Sequence, residues 1–358
     1  MSGGNESNSA PRYNRREALR LGGVALAAFL TGCSPRRDTS TPIPKQDNTT
    51  PQVMPKELPS QTPELQVQGD KFVAGGKEVI LRGAVTNHFV YKTPLEVFKH
   101  DVDWLKGNGA NFVVVQWNAG FLQNPAYILN LANACEYAKS QGMRTELTLH
   151  SRGLKPGSDW DPLQIQKVDN QIVKNWDTLL GDPIIAERFA KSVDIFSPLS
   201  EPNYNPSGQS ITWGEWKPLA IETTSHIRNL LKKDAVISVS GVNYGSDAWN
   251  IFNDPLNLQN AAVEIHPYQF FDQRQNTNFK AFVQEMKKRN MLAFVGEMGH
   301  DDQPAFVENQ YDFFVKNGIS FAVYSINSSS DYPSVLLIKG DKVTPNGKKA
   351  SKYFKAGK

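Results

Sequence analysis

The chain has 358 residues, with 39 Lys and Arg against 36 Asp and Glu and a formal charge of +3, so nothing marks it as a nucleic-acid binder. Its two cysteines cannot build a disulfide framework in which one of them is spent elsewhere, so stability must come from a large hydrophobic core. No Cys/His cluster has zinc-ligand spacing, and neither a metal nor an organic cofactor is expected.

Taken in chain order, the first segment is an address rather than a fold. Arg15-Arg16 precede an apolar run from Leu21 to Leu30, too short to span a bilayer, and Leu30-Thr31-Gly32-Cys33 follows. The ending resembles a bacterial lipoprotein box, which implies cleavage before Cys33 and lipid attachment to it. The twin arginines suggest Tat export. Residues 1–33 are thus expected to be a lipoprotein signal, and the product an exported protein anchored to a membrane through Cys33. From 34 to 63 the sequence is rich in Pro, Thr, Ser and Gln and cannot bury enough apolar area to fold, so it reads as a tether. Residues 64–358 have the length of one (β/α)8 TIM barrel. Cys135, in a helical pattern, is expected to be a buried, inert thiol.

Within that domain, Leu65 to Lys77 carries Gly69-Asp70 and Gly75-Gly76 turns and predicts a β-hairpin plugging the barrel base. Eight strand-like runs follow: Val79 to Val85, Phe112 to Asn118, Arg144 to His150, Val193 to Ser200, Ala235 to Gly241, Ala262 to Tyr268, Leu292 to Gly299 and Ser320 to Asn327. Amphipathic stretches such as Pro94 to Lys106, Ala126 to Ser140, Trp213 to Lys232, Phe279 to Lys288 and Pro304 to Val315 separate them. Gly109, Gly142 and Gly318 follow three of these, where left-handed helix caps belong. Alternation of apolar strands with helices predicts a parallel sheet, and eight strands favour closure. A doubly wound open sheet is the alternative, but no Gly-x-Gly-x-x-Gly follows the first strand.

Active groups of such a barrel sit at the carboxyl ends of its strands. Those ends supply Arg82 and Asn87, Trp117 and Asn118, His150, Ser200 and Glu201, Asn243 and Tyr244, His266 and Tyr268, Glu297, and Tyr324 to Asn327. Glu201 and Glu297 each close an apolar run, about three βα units of roughly 30 residues apart. Two carboxylates at one barrel mouth are the minimum for cleaving a glycosidic bond: one protonates the leaving oxygen, the other attacks the anomeric carbon. Glu146 and Glu264 share strand parity with His150 and His266, so they point inward and are expected to form an internal polar network. Trp104, Trp176, Trp213 and Trp216 lie on helical patterns and read as packing. Trp117, Trp160 and Trp249 lie at strand ends or loops and are candidates for stacking on sugar faces, as is the aromatic loop Gln269 to Asn278.

On these residues the chain resembles the clan A glycoside hydrolases, and within them family 5, the cellulase and mannanase family. Leu81-Arg82-Gly83 looks like its first-strand arginine motif, His150 its strand 3 histidine, and Glu201 before Pro202 its acid/base. His266-Pro267-Tyr268 matches the His-x-Tyr pair, and Gly296-Glu297 with Gly299 the nucleophile motif. The expected activity is that of an endo-acting β-glycosidase on a β-linked polysaccharide, with β-1,4-glucan the best guess, retaining if the two carboxyl groups lie about 5–5.5 Å apart, and the protein is expected to be a monomer. Glu297 would be kept ionised by Arg82 and Tyr268, while His266 and His150 bond the acid/base region or a sugar hydroxyl. Two positions depart from the pattern: Ser200 stands where the family has asparagine, and Tyr324 (or Ile326, if the register slips) where it has a platform tryptophan. They motivate a rival reading, a catalytically weakened carbohydrate-binding lipoprotein.

Overall fold

A computed structural model describes residues 63–90, 93–150, 168–268, 279–299, 304–326, 336–339 and 342–356, all within the compact unit Glu57–Lys358. The signal and Cys33, the tether up to residue 62, Trp160, the loop Gln269 to Asn278, His300 and Asn327 lie outside the described residues.

Three short antiparallel strands come first: β1 (Leu65–Gln68), β2 (Lys71–Ala74) and β3 (Lys77–Glu78). The barrel strands follow as β4 (Arg82–Phe89), β5 (Phe112–Asn118), β6 (Arg144–His150), β7 (Ile195–Ser200), β8 (Val236–Ser240), β9 (Ala261–Ile265), β10 (Ala293–Met298) and β11 (Phe321–Val323). Every neighbouring pair is parallel, and β11 closes onto β4 through Phe321–Arg82, Ala322–Gly83 and Val323–Ala84. Strands covered on both faces have no reason to alternate apolar with polar residues, which is why they read as nearly continuous apolar runs. The helices are α1 (Leu95–Gly107), α2 (Pro125–Ser140), α3 (Gln171–Leu180), α4 (Pro183–Ser192), α5 (Trp213–Leu231), α6 (Phe279–Lys288), α7 (Pro304–Lys316) and α8 (Pro345–Phe354). Among these, α3, α4 and α8 fall where the sequence reading named no element.

Local chemistry sets the helix ends. Thr212 and Glu215 form a reciprocal capping box at the start of α5, and Asp182 caps α4 ahead of Pro183 at its first turn. Gly109, Gly142 and Gly318 have φ of +92°, +77° and +62°, the left-handed geometry expected after α1, α2 and α7.

The apolar core has two parts. The larger lies between strands and helices and includes Cys135, fully buried, with a thiol pushed far up by burial. The smaller fills the lower barrel with Val85, Val114, Ile195, Val236 and Phe294, sealed from below by Leu65 and Phe72 of the hairpin. Phe72 meets Phe294 edge-on at 5.6 Å between ring centroids. The expected plug is therefore present, with a third short strand added.

The first barrel strand is the clearest boundary correction. It starts at Arg82 and continues to Phe89, four residues beyond the expected end, because Thr86, Asn87 and His88 are as buried as the aliphatic residues before them. His88 is held there by Asp101 at 2.5 Å. The shift moves Arg82 from the catalytic rim to the opposite, amino-terminal end.

Candidate active site

Glu201 follows β7 directly and is 7% exposed, with φ at +54°. A left-handed glutamate before a proline, which itself disfavours helical geometry at the preceding residue, is a strained arrangement that surrounding structure must impose. Glu297 is the fifth residue of β10, 8% exposed. One carboxylate oxygen of each, together with a nitrogen of His266, lie within 4.8 Å of one another. The 96-residue separation in sequence is thus closed by the barrel.

Both oxygens of Glu297 receive donors. Tyr268 Oη donates to Oε1 at 2.5 Å, and Gln116 Nε2 donates to Oε2 at 3.2 Å. Burial first, then the charges of Glu297 and Glu201, push the Tyr268 phenol well above its ordinary value, so it remains a donor. Two glycines make room for this segment. A Cβ at Gly296 would sit 2.1 Å from Glu264 Oε1, and one at Gly299 would sit 2.6 Å from the Tyr324 carbonyl oxygen.

His266 bridges Glu201 and the barrel interior. Its Nδ1 lies 3.0 Å from Glu201 Oε1 and its Nε2 2.9 Å from Glu264 Oε1. Burial disfavours the imidazolium, but hydrogen bonds to the two carboxylates and the charges of Glu297 and Glu264 outweigh it. The ring is held well above the usual histidine range. Both nitrogens then act as donors, one to each carboxylate. The loop after β8 packs on the ring's flank. Asn243, Tyr244 and Gly245 are all left-handed, and Gly245 lets the backbone come within 2.7 Å (to a notional Cβ) of the imidazole.

Glu146 and Glu264 do form the expected internal network. Glu264 Oε2 accepts from Ser197 Oγ at 3.1 Å, and Glu146 Oε1 from Ser238 Oγ at 2.6 Å. The two buried carboxyl groups lie close enough for the charge of Glu264 to act on Glu146. Burial and the Glu264 charge raise its pKa well above the ordinary value. Between that ordinary value and the raised one, the native state holds a proton that the unfolded chain has released, so stability falls as pH rises. Glu146→Gln removes this loss. The stability margin of this variant over the wild type should widen as pH rises above the ordinary carboxyl value, at a rate of up to about 1.4 kcal/mol per pH unit. A constant margin in a calorimetric pH series would contradict a protonated Glu146.

Several expected site residues sit elsewhere. Arg82 shares the outward parity of Ala84, and its guanidinium donates to the Ala356 carbonyl near the C-terminus, so it does not hold Glu297. Gln116 stands beside Glu297 instead. The sequence signal for it was a polar residue with the inward parity of Val114, one step short of the rim. Trp117 is fully buried and packs edge-on against Trp176 at 5.1 Å, so it cannot stack on a sugar. Trp249 is half-buried and meets Phe252 and Phe282 at steep angles, with ring centroids 5.6 and 5.5 Å away. Tyr244 pairs with Tyr204 through their hydroxyls at 2.9 Å, a rim residue the sequence reading missed. His150 ends β6 level with Asn118 and Ser200, and Ser200 is buried. Tyr324 directly follows the eighth strand, packs against the inner core and receives a hydrogen bond from Asn87 at 3.2 Å, whereas Ile326 lies in the outer core. Trp104, Trp176, Trp213 and Trp216 pack as expected.

Paired carboxylates at the carboxyl rim of a (β/α)8 barrel, near enough to address one anomeric carbon, are the equipment of a glycoside hydrolase. Comparison with known proteins narrows the class. The family model described as Cellulase (glycosyl hydrolase family 5) matches residues 73–330, and the chain belongs to that family. No curated protein matches it in sequence. Among solved structures, a β-glucanase from Saccharophagus degradans aligns with TM-score 0.66 and 19% identity, covering 88% of this chain and 97% of its own. A β-mannanase from Thermomonospora fusca bound to mannotriose gives TM-score 0.62 and 19% identity, over 80% and 93% of the two chains. The catalytic domain of a Thermobifida fusca endoglucanase bound to cellotetraose gives 0.62 and 18%, over 81% and 97%.

Proposed function

We propose that the protein is a retaining, endo-acting β-glycosidase whose substrate is a β-linked polysaccharide, with β-1,4-glucan the best candidate. Glu201 is assigned as acid/base and Glu297 as nucleophile. The observation that carries this is the approach of their carboxylate oxygens to within 4.8 Å. Retaining enzymes keep their carboxyl groups about 5–5.5 Å apart, whereas inverting ones need roughly 6.5–9.5 Å to admit a water. In this reading Glu201 gives its proton to the glycosidic oxygen as Glu297 bonds to the anomeric carbon. Water, deprotonated by Glu201, then releases the sugar.

The donors on Glu297 suit a nucleophile, since two hydrogen bonds fix its orientation while neither is a full ion pair that would bury its charge. The substrate choice leans on the family and on the two neighbours whose complexes hold cellotetraose and mannotriose. Export and anchoring through Cys33 belong to the same proposal and rest on the Leu30-Thr31-Gly32-Cys33 ending; the tether would let the domain reach polymer near the cell surface.

The purified protein should generate new reducing ends from β-glucan, with mannan and xylan as comparison substrates. Proton NMR should show the β-anomer as the first product. Initial release of the α-anomer would refute retention. Binding without turnover would instead favour the weakened carbohydrate-binding lipoprotein, for which the buried Ser200 in place of asparagine is the supporting feature.

A further inference from the structure

We infer that Glu264 is a positioning residue for the acid/base step: it holds the His266 imidazolium against Glu201 from inside the barrel, with Glu146 behind it. The inference rests on the assignment of Glu201 as acid/base.

The middle layer of such a barrel is ordinarily packed with branched aliphatic side chains. Here β6, β7, β8 and β9 bring in Glu146, Ser197, Ser238 and Glu264 instead, each at most 1% exposed. Glycine at 296 leaves the space that the Glu264 carboxylate occupies. Taking two carboxyl groups out of water is costly, and apolar residues of similar volume would usually stabilise the fold at least as well. Ser238 donates to Glu146, while His266 Nε2 and Ser197 take the two oxygens of Glu264, and Glu146 is close enough for the two acids to feel each other's charge. This geometry fixes Nε2–H on the interior side and aims Nδ1–H at Glu201. The groups facing the imidazole are Glu201 after β7, Glu264 on β9, Glu297 on β10 and the Gly245 backbone after β8, with Glu146 on β6 near enough to interact through charge.

The consequence for catalysis is specific. When Glu201 passes its proton to the departing oxygen, the C–O bond breaks as Glu297 bonds to the anomeric carbon. The carboxylate left on Glu201 is met at once by Nδ1–H. In the second half, water bonds to that carbon, the Glu297 ester breaks, and the water proton returns to Glu201. His266 keeps both of its protons throughout. Glu264 never touches the sugar; it maintains the cation that does this.

The test uses the full chain with ¹⁵N-labelled histidine. In the wild type the His266 nitrogens, identified by their absence in His266→Gln, should show the imidazolium signature at pH 7. Glu264→Gln should convert them to a neutral-ring pattern. The same variant should lose about tenfold or more in kcat/KM on cellotetraose, where the leaving group needs a proton. It should lose no more than about threefold in kcat/KM on 2,4-dinitrophenyl β-cellobioside, a constant that runs only through departure of a phenolate that needs no proton. Ser197→Ala, a smaller change that removes one Glu264 donor, should move both readouts the same way if Glu264→Gln fails to fold. An unchanged histidine signature in both variants, or equal losses on the two substrates, overturns the proposal. An inert wild type with an intact imidazolium sinks the functional reading alone, since the spectra still decide the coupling of Glu264 to His266.

Discussion

Glu297→Gln should lower kcat on β-glucan by on the order of 10⁴-fold or more, because the amide cannot form the glycosyl-enzyme bond. Folding should be almost untouched: the amide oxygen still accepts from Tyr268, and the site is near the rim rather than in the apolar core. Glu201→Gln has a different signature. In kcat/KM it should cost about 10²–10⁴-fold on polysaccharide, the usual contribution of a positioned acid, and far less on aryl glycosides with good leaving groups. Steady-state kinetics on both substrate types separates the roles. If Glu297→Gln retained activity on the activated glycoside while Glu201→Gln lost it, the two assignments would have to be exchanged.

Gly296→Ala should be the most damaging of the conservative changes at the site. Its Cβ would lie 2.1 Å from Oε1 of Glu264 and 2.5 Å from both Cγ and Cδ. An exposed glutamate would swing aside. This one is tied to His266 and Ser197 and is only 1% exposed. Overpacking of a dense interior costs about 1–3 kcal/mol, and more where a polar group is torn from its partners. A fall in melting temperature should accompany loss of turnover. Gly107→Ala is the control, since a Cβ there meets nothing within 4 Å and the residue ends α1. That substitution should be neutral or slightly stabilising. Equal melting temperatures for the two variants would show that Glu264 is not fixed as described.

Burial pattern alone made the barrel legible. A strand covered on both faces needs a continuous apolar run, and a helix needs a periodic one, so β5 and β6 were placed to the residue. The two glutamates were legible for the same reason, each being an acid at the end of such a run. Errors arose where polar residues are buried. Thr86, Asn87 and His88 look like a loop in sequence, yet the strand continues through them, and that one slip carried Arg82 to the wrong end of the molecule. Trp117 failed differently. A tryptophan at a strand end is equally ready to meet a sugar or another tryptophan, and only the position of Trp176 on α3 decides between them.

The order of strands and helices, the acids that close two of them and the inward parity of Glu146 and Glu264 were therefore fixed by the chain's own covalent pattern, because parity and period are local properties. Which groups meet was not local. The approach of Glu201 to Glu297, the exchange of Arg82 for Gln116 and the seating of His266 between two carboxylates depend on barrel closure, which sets residues from different strands side by side.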